Sequence, residues 1–205
     1  MNEIPQKPFI IGCDEVGYGA WAGPLVVVGI RAPREWAIEG LNDSKKLSAK
    51  KRETMSGKLE RLIISGDITW GMAERSNAII DQMGLGVALK DAYVEIFQQL
   101  YRDDCLIISD GNLKFDNPVV DAYDKVSEPK ADGKYAQVMA ASIIAKHYRD
   151  SKMHLLHKQF PMYGWDHNVG YYSDDHMDGL KQHGPCRLHR HSYAPIKKLL
   201  NLSLF

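Results

Sequence analysis

The sequence predicts an α/β protein built on a mixed sheet. Two observations carry that prediction. Short apolar, β-branched runs of strand length occur early and again in the middle of the chain. Longer segments between and after them repeat their apolar residues at helical spacing. The resulting order is three strands with helices, then two strands and a long helix, which fits a layered α/β structure.

Phe9–Val16 reads as an apolar strand and Pro24–Ala32 as a Val-rich second one, joined by the Gly-rich link Gly17–Gly23. Ser48 is a capping residue for a helix over Ala49–Ser65, with Met55, Leu59, Leu62 and Ile63 on one face. Asp67–Glu74 is a candidate third strand. Leu85–Tyr101 carries a broad apolar helical face through Leu89, Ala92, Ile96 and Leu100. Cys105–Ser109 is a short strand running into an Asp-Gly turn, and Val119–Val126 is a further β-branched stretch. Gly133–Phe160 is strongly helical and Ala-rich in its first half. Ser173–Gln182 and Ala194–Leu202 are the last helices expected. The basic segment after Phe160 reads as a C-terminal appendage, about 161–205, to one domain spanning 1–205.

A chain of 205 residues buries enough surface for a core without disulfides or structural metal. Ala20–Ile30, the longest apolar stretch, is too short to span a membrane, and no secretory leader precedes Pro8. Cys13, Cys105 and Cys186 offer neither a disulfide framework nor a paired-cysteine metal site, so reduced thiols in a cytoplasmic protein are expected. The 26 Lys and Arg balance 26 Asp and Glu, which argues weakly against a nucleic-acid partner. Charge is unevenly spread, however: Lys181–Lys198 holds five Lys or Arg, three His and no acid.

Asp14 and Glu15 are adjacent acids at the end of an apolar strand, where neighbouring side chains point to opposite faces. They are either ordinary turn acids or part of a site. A dinucleotide-binding glycine loop is excluded, because Pro24-Leu25-Val26-Val27-Val28 after Gly17, Gly19 and Gly23 is a strand rather than a helix. Asp110 ends a predicted strand and is either a turn residue or functional. Asp132 suits the N-cap of the long helix. Together the four acids could form an oxygen-rich site for Mg²⁺ or Mn²⁺. All eight His lie between His147 and His191, without the companions of a zinc site, and read as solvated or phosphate-facing.

With these blocks assembled, the chain resembles ribonuclease HII, the type 2 ribonuclease H family. The resemblance runs from about Phe9 to Lys197 through ordered blocks. These are Gly12–Gly19 with Ala22-Gly23-Pro24, Leu41–Ser48, Ser109-Asp110-Gly111, Lys130-Ala131-Asp132 with Ala140–Lys146 and Arg149-Asp150, Gly170-Tyr171, and His189-Arg190 with Ser192–Pro195. It implies a ribonuclease H-like mixed five-stranded sheet flanked by helices, with a helical C-terminal region. It implies an endoribonuclease that hydrolyses the RNA strand of RNA–DNA hybrids and cuts 5′ of ribonucleotides embedded in duplex DNA, leaving a 5′-phosphate and a 3′-hydroxyl.

Carried over by motif, Asp14, Glu15, Asp110 and Asp132 are the expected metal-binding catalytic acids, in a two-metal hydrolysis. Lys45 is expected to contact phosphate, and Tyr171 to pack at the ribonucleotide and sense its 2′-hydroxyl. Gly17, Tyr18 and Gly19 form the substrate-reading loop. This loop is usually Gly-Arg-Gly in the family, and Tyr18 replaces the arginine fork. The related ribonuclease HIII family also lacks that arginine, so a preference for runs of ribonucleotides is the alternative reading. A non-catalytic hybrid-binding module is the more distant one. The family resemblance also implies a monomer with no membrane partner, and no sliding-clamp-binding tail is recognised at Leu204-Phe205.

Overall fold

The structure, a computed structural model, describes residues 5–115 and 117–202. Leu204-Phe205 lies outside the described residues, as do residues 1–4 of the opening segment before Pro8.

Strands β1 (Phe9–Val16), β2 (Leu25–Pro33), β3 (Thr69–Arg75), β4 (Cys105–Asp110) and β5 (Lys125–Glu128) form one mixed sheet in the order β3-β2-β1-β4-β5. β4 pairs in parallel with both β1 and β5. β1 and β4 are buried along almost their whole length, as expected for inner strands of a parallel pairing. The predicted sheet class and strand count are therefore met.

Helix α1 (Ala49–Ser65) begins where the Ser48 side chain accepts the Lys51 N–H and ends at Gly66 in the left-handed conformation. Helix α2 (Asn77–Met83) is capped in the same way by Ser76 and was not expected from the sequence, being only seven residues long. Helix α3 (Leu85–Leu100) matches its predicted range. The Val119–Val126 stretch is not a single strand. Asn117 caps the short helix α4 (Pro118–Asp121), and β5 starts only at Lys125. The Asn-Pro start signal overrides the β preference of the two valines. Helix α5 (Ala136–His157) is followed by α6 (Trp165–Asn168), α7 (Asp174–His183) and α8 (Ala194–Leu202). Among the described residues no helix is long and apolar enough to cross a membrane.

The chain divides into two compact units. The first comprises 1–16, 27–73 and 90–147; the second comprises 17–26, 74–89 and 148–205. Ile10, Leu106, Ile108, Ala131 and Val138 form an apolar cluster in the first. Gly12 is required there by close approach, because a Cβ would overlap the backbone of Gln137 and Val138 at the start of α5.

In the second unit Ala22, Met153, Tyr163, Trp165, Leu180 and Ile196 form the core. His176 and His189 are fully buried within this unit, contrary to the expectation of solvated or phosphate-facing histidines. Their hydrogen bonds define neutral tautomers. His176 donates from Nδ1 to the Tyr171 carbonyl at 2.8 Å and accepts at Nε2 from the Trp165 indole and from His189. His189 accepts at Nδ1 from the Cys186 N–H. Burial lowers both pKa values, that of His189 to about 3 with the His176 ring as a further cause.

Candidate functional site

Parallel pairing places Cys13 beside Ser109, so the next residues, Asp14 and Asp110, leave adjacent strands side by side. This is the carboxyl end of the central strands, where open α/β sheets bind their ligands. Asp14 is buried, and the residue beside it, Glu15, is half-buried. Burial, with the charges of Glu15 and Asp110, pushes the Asp14 carboxyl up to about 7 against a hydrogen bond from Ser142. Burial also raises Glu15, opposed by the Tyr93 hydroxyl and reinforced by Asp110.

Each acid is held by a specific group. Tyr93, fully buried in α3, donates its hydroxyl to Glu15 Oε2. The Ser142 hydroxyl serves Asp14 and is itself 2.8 Å from the Ser44 hydroxyl. Asp110 Oδ1 accepts the Ala131 N–H at 2.8 Å, which ties the end of β4 to the 3-10 turn Ala131–Gly133. Asp132 lies inside that turn and is 4% exposed. It does not cap the long helix, which starts only at Ala136. Its Oδ2 instead accepts the Lys45 ammonium at 2.7 Å. Lys45 sits on the 3-10 turn Ser44–Lys46, where the Asp43 side chain accepts its backbone N–H. Its charge also acts on Asp14 and Glu15.

The donor set is therefore hard carboxylate oxygen, crowded, desolvated and short of positive charge, which is the chemistry that Mg²⁺ or Mn²⁺ requires. No three His, Cys, Asp or Glu side chains among the described residues stand close enough together to hold one ion. Lys45 occupies Asp132 as the local cation. The residues fit a hard divalent ion in chemistry, and the Lys45 ammonium engages Asp132 at Oδ2.

The loop residues and Tyr171 belong to the second unit. Gly17, at φ +88°, donates its N–H to the Tyr171 hydroxyl at 3.0 Å. Tyr18 is 46% exposed and Gly19 is exposed. Arg190, which belongs to the basic stretch Lys181–Lys198, is buried and donates to the Gly17, Tyr18 and Gly23 carbonyls. Arg149 is also buried, and its guanidinium stands 5.1 Å from the Tyr171 ring. Sequence reasoning assigned no role to Tyr93, Ser142, Arg149 or Arg190. A hydroxyl in the apolar face of α3 was the only signal for Tyr93.

The fold is that of the type 2 ribonucleases H. Ribonuclease H2 from Pyrococcus horikoshii superposes with a TM-score of 0.75 at 25% identity, covering 95% of this chain and 98% of that one. The PCNA:RNase HII complex from Archaeoglobus fulgidus contributes a chain with a TM-score of 0.72 at 26% identity, covering 93% and 96%. Bst-RNase HIII in complex with Mn²⁺ shares the fold at a TM-score of 0.68 and 20% identity, over 96% of this chain and 70% of that one. The family model for ribonuclease HII matches residues 11–196. Ribonuclease HII from Chlamydia caviae is 37% identical over 93% of this chain and 86% of its own length. The Helicobacter pylori ribonuclease HII is 36% identical over 95% and 96%. The chain belongs to the ribonuclease HII family and is a ribonuclease H.

Proposed function

We propose that the enzyme is a metal-dependent endonuclease that hydrolyses the RNA strand of RNA–DNA hybrids and cuts 5′ of ribonucleotides embedded in duplex DNA. The products are a 5′-phosphate and a 3′-hydroxyl. The observation that carries this reading is the pairing of Asp14 and Asp110 at the ends of β1 and β4, with Asp14 desolvated enough to titrate near neutrality.

Asp14, Glu15, Asp110 and Asp132 would hold Mg²⁺ or Mn²⁺, which supplies charge stabilisation to the attacking and leaving oxygens when bound. The protein's own groups prepare that site. Tyr93 fixes the Glu15 carboxylate, Ser142 orients Asp14, and the Ala131 N–H holds Asp110 to the turn that carries Asp132. Lys45 neutralises Asp132 and becomes available to backbone phosphate once that pair opens. Tyr171 accepts from the Gly17 N–H, which leaves its own O–H free to donate to a ribose 2′-hydroxyl. Such a contact discriminates strongly, since a deoxy sugar leaves a buried donor unpaired. The three cysteines are free thiols, consistent with action in the cytoplasm, and a monomer suffices for every role described.

Tyr18 supports a second reading, a preference for runs of ribonucleotides as in ribonuclease HIII. It offers one hydroxyl and a ring where an arginine would offer a charged fork. The test is cleavage of a duplex carrying one ribonucleotide against a long RNA–DNA hybrid, with Mg²⁺, with Mn²⁺ and with chelator. Cleavage 5′ of the single ribonucleotide, abolished by chelator, supports the main reading. Cleavage of long hybrids alone favours the second. Binding without cleavage under both metals overturns both.

A further inference from the structure

The loop over residues 17–24 has its carbonyls gathered on two buried cations. Arg190 donates from Nη2 to the Gly17 carbonyl at 2.6 Å, from Nη1 to that of Tyr18 at 2.9 Å and from Nε to that of Gly23 at 3.2 Å. Arg149 donates from Nε to the Pro24 carbonyl at 2.9 Å and from Nη2 to that of Ala22 at 3.1 Å. Five of the eight loop carbonyls are thus committed to two fully buried guanidiniums. These hydrogen bonds run to carbonyls, and in one case to the Tyr193 hydroxyl, which itself donates to the Tyr18 carbonyl at 2.8 Å. The negative charges that act on them, Asp150 on Arg149 and Asp81 on Arg190, do so by field.

Arg149 also reaches the other side of the reading site. Its Nη1 donates to the Val169 carbonyl at 2.8 Å, two residues before Tyr171, and its guanidinium faces the Tyr171 ring. Val169 has φ +43°, a left-handed conformation that is strained for a β-branched residue. Strain at this position persists only because surrounding contacts impose it. Only a planar fork with several fixed donors spans both ends of the loop at once, which a lysine ammonium cannot do.

We propose that Arg149 and Arg190 are positioning residues that set selectivity for a single embedded ribonucleotide, by holding the Gly17 N–H and the Tyr171 hydroxyl in register. The proposal rests on the reading of Tyr171 as the ribose contact. A single ribonucleotide presents its one 2′-hydroxyl in one register, so a loosened loop loses it. A long hybrid presents a 2′-hydroxyl in every register and tolerates the same loosening.

The test is the ratio of kcat/KM for a one-ribonucleotide duplex to that for a long RNA–DNA hybrid. It is measured for the wild-type protein, Tyr171→Phe, Arg149→Lys, Arg190→Lys and Tyr193→Phe. Each Arg→Lys variant is expected to lower the ratio at least tenfold, and Tyr193→Phe about threefold. A merely structural role reduces the active fraction, so both substrates fall together and the ratio stays put; that result overturns the proposal. If Arg190→Lys fails to fold, Tyr193→Phe decides for Arg190, because it loosens that side chain while leaving the guanidinium in place. If Arg149→Lys fails to fold, Val169→Gly decides for Arg149, because it frees the segment that Arg149 holds before Tyr171; an unchanged ratio there overturns the proposal for Arg149. A ratio lowered by Tyr171→Phe but not by the arginine or Tyr193 variants overturns this inference alone. A wild-type protein that cuts only long hybrids overturns the single-ribonucleotide reading and the inference with it.

Discussion

The two units of this protein each gather like charges, and they do so with opposite sign. In the first, Asp14, Glu15 and Asp110 are carboxyls gathered at strand ends, with hydroxyls and an amide as their partners. In the second, Arg149 and Arg190 are cations gathered on a loop, with carbonyls as theirs. The difference between them is chemical. A buried carboxyl can relieve its charge by taking up a proton, and Asp14 does so by titrating near 7. A guanidinium cannot: burial brings Arg149 down only to about 10, so it stays charged at any working pH. The arginines must therefore be solvated by the fold itself, whereas the acids can change their protonation or take a neighbouring cation, as Asp132 takes Lys45. In one region the charge is variable with proton and cation, and in the other a fixed charge is solvated by backbone carbonyls.

The sharpest way to break this contrast is Asp14→Asn. Cleavage should fall by about three orders of magnitude or more, the scale of an electrostatic catalytic element. The metal-free protein should melt no lower than wild type, because a desolvated charge has been removed. A folded variant with near-normal activity would refute the assignment of Asp14. The mirror experiment is Arg190→Met. It strands the Gly17, Tyr18 and Gly23 carbonyls, and at about 1–3 kcal/mol per buried unsatisfied group the loss should reach at least 3 kcal/mol in urea unfolding. A neutral outcome would mean that the loop rearranges without the clamp.

Acid should move the two regions in opposite directions. The Asp14 pKa is raised from 3.8 to about 7 on folding, so the metal-free first unit gains stability as pH falls from about 7 towards 4. The His189 pKa is lowered from 6.5 to about 3, so its contribution is complete above pH 6.5 and is lost as pH falls below that value. At about 1.4 kcal/mol for each tenfold difference in proton affinity, the loss for His189 is roughly 2 kcal/mol by pH 5. Hydrogen-exchange protection factors at pH 7.5 and 5, read for β1 amides and for the Trp165 indole N–H, separate the two. Equal trends in both would contradict the contrast. The smallest effect concerns Tyr18. Replacing it with arginine adds an exposed cation to the loop, and cleavage at a single ribonucleotide should improve severalfold in kcat/KM; no change would count against the loop reading.

Much of the fold was legible because its signals are local. Ser48 with the spacing of Met55 and Leu59 gave α1 its limits, and the apolar run from Phe9 gave β1 its own. The helix expected over Ser173–Gln182 is found as Asp174–His183, with Ser173 as its cap. Where two local signals competed, the weaker reading failed: Asn117-Pro118 turned part of a β-branched stretch into α4. The four acids were legible as candidates, since each stood at a strand end or a turn. Their supports were not. Tyr93 lies 78 residues from Glu15, and Arg190 lies 173 from Gly17, so no spacing rule could join them.

By itself the sequence determined the α/β class, the lengths of the principal elements and the family, and it singled out four candidate acids, because periodicity, capping and motif order are properties of neighbours along the chain. Tertiary structure alone decided that Asp132 pairs with Lys45 instead of capping a helix, that His176 and His189 form a neutral buried pair, and that two basic residues face inward to carbonyls. The reason is desolvation. Whether a charged or titratable side chain meets water, a counter-charge or a row of carbonyls depends on what folding brings against it, and that governs its protonation and its role.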